Sequence, residues 1–160
     1  MHIAIYTDGS SLGNPGAGGY GVVLISGQHR KELSQGFRLT TNNRMELMAV
    51  IAGLEALKTP QCVVTVYSDS QYVVNSVEKK WVFNWERVGF KGKKNADLWK
   101  RLLKVHRQHT VRFEWMKGHS GNKENERCDS LAITAARSYH LIEDTGYEEH
   151  AKEPHLFFNL

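Results

Sequence analysis

Four carboxylates stand where chemistry can be done. Asp8 closes the apolar run Ile3-Ala4-Ile5-Tyr6-Thr7 and is followed at once by Gly9-Ser10-Ser11. Asp69 follows Val63-Val64-Thr65-Val66-Tyr67 and Ser68, and precedes Ser70. Both are strand-end acids with small residues behind them, where the backbone can be approached closely. Glu46 falls in the first turn of a helix that begins after Thr40-Thr41-Asn42-Asn43, and Asp129 lies early in a helix from about Asn125. Helical periodicity places both at the flanks of their apolar stripes, on the boundary between core and solvent. Together such acids make an all-oxygen site, which suits Mg²⁺ or Mn²⁺ rather than zinc. Crowded like charges repel, so the cluster needs cations to be tolerated. Two divalent ions bridged by carboxylates activate water and stabilise a leaving oxygen in phosphodiester hydrolysis.

Each acid also has a plainer reading. Asp8-Gly9 is a common turn pair. Asn43 and Glu46 have the spacing of a capping box, and Asp69 or Ser70 can cap the next helix. Asp129 can be a solvated acid favoured by a helix dipole. Whether the four converge is decided by the elements that carry them.

His2–Thr7, Gly18–Ile25 and Glu32–Leu39 read as three strands with short links, an antiparallel meander. Leu47, Val50, Ile51, Leu54 and Leu57 form one apolar stripe at helical spacing, with Pro60 beyond its end. Val63–Tyr67 is nearly continuous in apolar residues, as a central strand is. Helices are expected over Gln71–Glu78, Trp81–Val88 and Ala96–Gln108, with Phe90–Asn95 a flexible basic loop between the last two. Thr110–Met116 alternates as a strand, Lys117–Lys123 is a loop, and a helix runs from Asn125 to about Tyr139. This order predicts an α/β layer structure with a mixed sheet. Residues from about 143 onward show no clear pattern.

At 160 residues the chain is expected to be one domain. It has no membrane-length apolar run and no basic-then-apolar leader. Cys62 and Cys128 lack metal spacing and read as reduced core thiols, which points to the cytoplasm. The charge is uneven. Residues 79–107 hold ten basic side chains against Glu86 and Asp97, a charge of +8 where the whole chain carries +4. A localised basic block suggests an anionic polymer as partner.

Five blocks resemble bacterial ribonuclease HI, the type 1 RNase H family, in the family's order and spacing. They are Tyr6-Thr7-Asp8-Gly9-Ser10 with Gly13-Asn14-Pro15-Gly16, Thr41-Asn42-Asn43-Arg44-Met45-Glu46-Leu47, Ser68-Asp69-Ser70-Gln71-Tyr72-Val73, Trp115-Met116-Lys117-Gly118-His119, and Asn125-Glu126-Arg127-Cys128-Asp129. The resemblance covers roughly residues 2–147 and includes Leu141–Tyr147. It implies a ribonuclease H-like fold, a five-stranded mixed sheet with helices on both faces in the order βββαβα(αα)βα. Residues 1–147 would form the catalytic domain, with 79–107 a basic protrusion, and 148–160 a C-terminal tail.

The resemblance also implies an activity: endonucleolytic hydrolysis of the RNA strand of RNA–DNA hybrids, leaving 5′-phosphate and 3′-hydroxyl ends, as needed to remove RNA primers and R-loops. The matching acids Asp8, Glu46, Asp69 and Asp129 would hold two Mg²⁺ ions, with Mn²⁺ a substitute. Asp8 would bridge both, Asp129 would join it on the ion that activates water, and Glu46 and Asp69 would serve the other. His119 matches a mobile-loop histidine that aids proton transfer or product release. Asn14, Asn42, Asn43 and Gln71 would read the RNA 2′-hydroxyl and base edges from the minor groove. Thr41 and Asn84 match a phosphate pocket for the DNA strand. Trp81 and Trp99 would pack on deoxyribose or bases, Trp85 would hold the protrusion together, and Lys91, Lys93 and Lys94 would grip phosphates. Two departures stand out: the Phe90–Lys94 loop is shorter than in the best-known members, and Phe90 occupies a usual Trp position. His155-Leu156-Phe157-Phe158 is an apolar cluster in a polar tail, suited to docking on a replication protein or on the chain's own body. The protein is expected to be a monomer. A catalytically dead hybrid-binding module would lack one of the four acids. A transposase or junction resolvase of related fold would lack Asn42-Asn43 and the basic protrusion.

Overall fold

The computed structural model describes residues 2–152. Its elements are β1 (His2–Ser11), β2 (Gly16–Ser26), β3 (His29–Thr40), α1 (Asn42–Glu55), β4 (Val63–Ser68), α2 (Gln71–Glu78), α3 (Trp81–Arg87), α4 (Ala96–His106), β5 (Thr110–Trp115), α5 (Lys123–Ala136), β6 (Leu141–Ile142) and α6 (Thr145–Lys152). The sheet runs β5-β4-β1-β2-β3-β6. β1, β2 and β3 pair antiparallel, while β4 joins β1, β5 joins β4 and β6 joins β3 in parallel. The expected mixed sheet is therefore present, with a sixth strand added by the two-residue β6. A two-residue strand is too short to carry a periodic signal, and its pairing to β3 is set by tertiary position.

The two faces of the sheet are covered differently. Ile3, Ile5, Val22 and Leu24 pack under α1, α2 and α4 in the larger core, with Leu47, Val50, Ile51, Leu54 and Trp99. The other face is covered by α5, which presents Cys128, Ala132, Ala135 and Ala136, all buried. This helix lies close because the sheet beneath it is built of Gly19, Gly21 and Gly36. A Cβ on Gly21 or Gly36 would run into the carbonyl of Cys128 or Ala135.

Helix starts differ from the sequence expectation in two places. Thr41, not Asn43, caps α1: its Oγ1 accepts from the Arg44 amide at 3.3 Å. No capping box forms, because Glu46 reaches away from its own helix to the amide of Gly9. α5 begins at Lys123, two residues early, because Asn122 Oδ1 accepts from the Asn125 amide at 2.9 Å. Ser70 caps α2 as one of the two expected candidates.

The basic segment is more tightly held than a flexible loop. Phe90 is buried and its amide donates to the Trp85 carbonyl at 2.7 Å. Trp99 is fully buried, with its indole N–H on the Tyr72 hydroxyl at 2.9 Å and its ring edge-on to Trp85 and Tyr72. Residues after 143, patternless in sequence, form α6, which runs across position 147. Arg44 fixes it there: the buried guanidinium binds Asp144 through Nε at 2.7 Å and Nη2 at 2.8 Å, and Asp97 through Nη2 at 2.7 Å. The apolar cluster of the tail lies outside the described residues. Both cysteines are free, Cys128 in the core and Cys62 half-buried at its rim. No helix among the described residues is long and apolar enough to cross a membrane.

Candidate active site

β1 and β4 are adjacent and parallel, so their C-terminal ends meet at one edge of the sheet. Asp8 sits near the end of β1, opposite Gly21 of β2, on the face that α5 covers. Asp69 is the first residue past β4. α1 enters the same corner from the opposite face. It comes within backbone contact of β1 because position 9 is glycine; a Cβ there would run into the backbone of Met45 and Glu46. This close approach puts Glu46 over the strand end, where its Oε1 accepts from the Gly9 amide. The glycine expected to admit a ligand thus admits a helix.

Asp8, Glu46 and Asp69 converge: one oxygen from each lies within 4.8 Å of the others. Asp8 and Glu46 are buried, with 6% and 5% exposure, and Asp69 is half-buried. Asp129 flanks the group from α5, one residue after Cys128. Burial pushes the Asp8 carboxyl up to about 8, and the charge of Asp69 adds to this, with a smaller contribution from Asp129. Glu46 is raised well above the carboxylate range by burial and then by Asp8 and Asp69, against the opposing Gly9 hydrogen bond. No basic side chain is among the leading influences on either acid. Such a cluster of oxygen donors without an internal cation fits hard divalent ions.

The loop after β5 closes the corner. Trp115 Nε1 donates to the Asp69 carbonyl at 3.0 Å, and the Met116 amide donates to the Ser68 carbonyl at 2.9 Å. His119 follows on this loop, exposed and in the left-handed conformation at φ 56°.

A groove of ≈ 980 Å³ lies between the start of α1 and the basic loop, and none of the four acids is among its walls. Its walls bring Asn14, Thr41, Asn42 and Asn43 together with Lys93 and Lys94 of the basic loop. The Asn42 amide donates to Asn14 Oδ1 at 3.1 Å, which ties the loop after β1 to the start of α1. Gln71, Trp81, Asn84 and Lys91 are exposed but are not among its walls. Trp99 cannot serve as a substrate contact, because it has no exposed surface and its N–H is taken by Tyr72. Its spacing with Trp81 and Trp85 in a basic segment did not distinguish an outward ring from an inward one. Trp85 does join the internal cluster, with Lys93 Nζ 4.7 Å over its ring.

Arg44 and Gly118 were missed as contributors. An arginine in a helix's first turn opposes the helix dipole, and that mismatch was a readable sign of a buried partner. Gly118 backs onto Asp69, and nothing local marks it.

The RNase H family profile matches residues 1–137. The ribonuclease H of Syntrophus aciditrophicus is 57% identical over 150 residues, covering 91% of this chain and 86% of that protein. That of Aeromonas salmonicida is 54% identical over 152 residues, covering 92% and 97%. Among solved structures, LC9-RNase H1, a type 1 RNase H with the type 2 active-site motif, superposes with a TM-score of 0.77 at 33% identity, covering 96% of this chain and 82% of that one. LC11-RNase H1, solved in complex with an RNA/DNA hybrid, superposes at 0.66 with 26% identity, covering 84% and 96%. With its acids gathered at the strand ends and relatives matching across nearly all of its length, the chain belongs to the RNase H family, divalent-metal-dependent endoribonuclease hydrolases that act on RNA–DNA hybrids.

Proposed function

We propose that this protein hydrolyses the RNA strand of RNA–DNA hybrids through two divalent ions, Mg²⁺ or in its place Mn²⁺, held by Asp8, Glu46, Asp69 and Asp129. The observation that carries this reading is the convergence of Asp8, Glu46 and Asp69 within 4.8 Å. Two bound divalent ions supply an activated water and neutralise the charge that develops on the attacking and leaving oxygens. Asp8 has Glu46, Asp69 and Asp129 all among its neighbours and would be the ligand common to the two ions. Water, giving up a proton, would attack phosphorus as the P–O3′ bond breaks and O3′ takes up a proton, leaving a 5′-phosphate and a 3′-hydroxyl. His119 moves a proton or aids product release from the loop beside Asp69.

The chain's own surface selects the substrate. Asn14, Asn42 and Asn43 offer both donors and acceptors to a 2′-hydroxyl and to base edges, and Gln71 extends this row. Thr41 and Asn84 receive a phosphate of the DNA strand, and Trp81 packs on its sugars. Lys91, Lys93 and Lys94 add affinity that does not depend on sequence. Residues 1–147 act as the catalytic unit with 79–107 as its grip, and the protein works as a cytoplasmic monomer on primers and R-loops. The apolar cluster in the 148–160 tail offers a contact to a replication protein.

The test is cleavage of matched RNA–DNA, DNA–DNA and RNA–RNA duplexes with Mg²⁺, with Asp69→Asn alongside. The hybrid alone is cut, only in its RNA strand, and Asp69→Asn abolishes cutting. Cleavage of DNA–DNA, or full activity in the Asn variant, refutes the assignment.

A further inference from the structure

Asp8 and Glu46 are held by enclosure: one lies inside a strand under a helix, the other in a helix against that strand. Asp69 has no such support. It occupies the two-residue link between β4 and α2 and is half-buried. Its place is set by the segment that leaves β5. Trp115 is the last residue of β5 and pairs with Ser68. Its indole N–H reaches the Asp69 carbonyl at 3.0 Å, and the next amide, of Met116, reaches the Ser68 carbonyl at 2.9 Å. Further along, a Cβ on Gly118 would sit 2.8 Å from Asp69 Oδ2, so the loop backbone lies directly against the carboxylate. Trp115 is 47% exposed, whereas Phe113 two residues earlier fills the core. Burial therefore does not account for a tryptophan here, and its one directed bond goes to Asp69.

We propose that Trp115 is a positioning residue for Asp69 and that, with Gly118, it couples the loop bearing His119 to the acid cluster. The inference rests on the reading of Asp69 as a metal ligand. A group that orients a ligand changes metal affinity and turnover together, by about tenfold when removed. It leaves substrate affinity alone, because neither contact lies in the groove that holds Asn14 and Asn42.

Two variants test this. Trp115→Phe keeps an aromatic ring and loses the N–H; Gly118→Ala sets a methyl against the carboxylate. Isothermal titration with Mn²⁺ alone, cleavage kinetics on a hybrid and thermal melting are measured for each. The expected result is Mn²⁺ affinity and kcat each about tenfold lower, KM unchanged, the rate recovered at raised Mg²⁺, and Tm within roughly 3 °C of the parent. Unchanged Mn²⁺ affinity and kcat in both variants overturns the inference. So does a raised KM with normal kcat, which would make the ring a substrate contact. Asp69→Asn, run alongside, separates the two readings. If it keeps Mn²⁺ affinity and activity, the metal assignment fails. If it loses both while Trp115→Phe and Gly118→Ala are normal, the positioning role alone fails.

Discussion

At the scale of single residues, the acids carry a conflict between function and stability. Burial and the charge of Asp69 raise Asp8 to about 8, so in the metal-free fold it keeps a proton that the unfolded chain gives up near its ordinary value of 3.8. Between those two values the native state binds more protons than the unfolded state, and stability falls as pH rises. Glu46 is raised for related reasons and adds to the same trend. The metal-free protein is therefore expected to melt at a lower temperature at pH 8 than at pH 5.5, and Mg²⁺ should restore more of the loss at pH 8, because cations then replace missing protons. Asp8→Asn removes the conflict. It should abolish cleavage yet stabilise the metal-free fold by about 1 kcal/mol, roughly 2–4 °C. Calorimetry at both pH values checks each statement, and a melting temperature that rises with pH in the absence of metal refutes it. The sequence showed an acid where an apolar run stops and four acids in suitable places, but the expected strand end is not there, since β1 continues through Gly9 to Ser11. Nor did the sequence show the burial that raises two of them, since that depends on the lid made by α1 over Gly9.

At the scale of elements, the site depends on how closely helices approach the sheet. The apolar stripe of α1 and the run Val63–Tyr67 were legible because they follow one period or none over several residues. The closeness of α5 was not, because it depends on Gly19, Gly21 and Gly36 being gathered from two strands onto one face. Trp99 fails for a similar reason: helical spacing places it on a face, but only the packed α2 shows that Tyr72 awaits it there. Arg44 is the strongest such case. It is 3% exposed and joins α1 to α4 through Asp97 and to the segment before α6 through Asp144, while Thr40 Oγ1 also donates to Asp144 at 2.7 Å. Arg44→Met leaves the buried Asp144 without its cation and should cost about 3–5 kcal/mol. Adding Asp144→Leu removes that stranded charge, and the double variant should recover most of the loss. Urea unfolding of the two variants measures this; equal destabilisation in both would mean that the guanidinium matters for packing rather than charge.

At the scale of the whole molecule, the charge asymmetry read from the sequence is real but is partly consumed within the fold. Arg101 pairs with Glu55 at 2.6 Å and Arg107 with Glu86 at 2.5 Å, so two of the ten basic residues of segment 79–107 are engaged with acids. Four lysines lie over aromatic rings: Lys79 over Trp81, Lys80 over Phe83, Lys93 over Trp85 and Lys100 over Phe90. A cation held over a ring keeps its charge and gains a fixed position, so Lys93 is presented to the groove rather than withdrawn from it. Lys91 and Lys94 are exposed on the turns around it. Under the proposed function these three lysines would contact the polyanion without contacting the reacting bond. Each phosphate they neutralise releases condensed counterions, at about 0.7–0.9 of a unit in the salt dependence. Replacing all three with Gln should therefore raise KM, leave kcat near the parent value and flatten the slope of log KM against log salt by roughly two to three units. Cleavage of one hybrid from 50 to 200 mM salt, a range of the order over which such terms are resolved, measures all three quantities. A fall in kcat with unchanged KM would place the lysines in the chemical step and refute the division between a rigid acid cluster that cuts and a basic segment that holds.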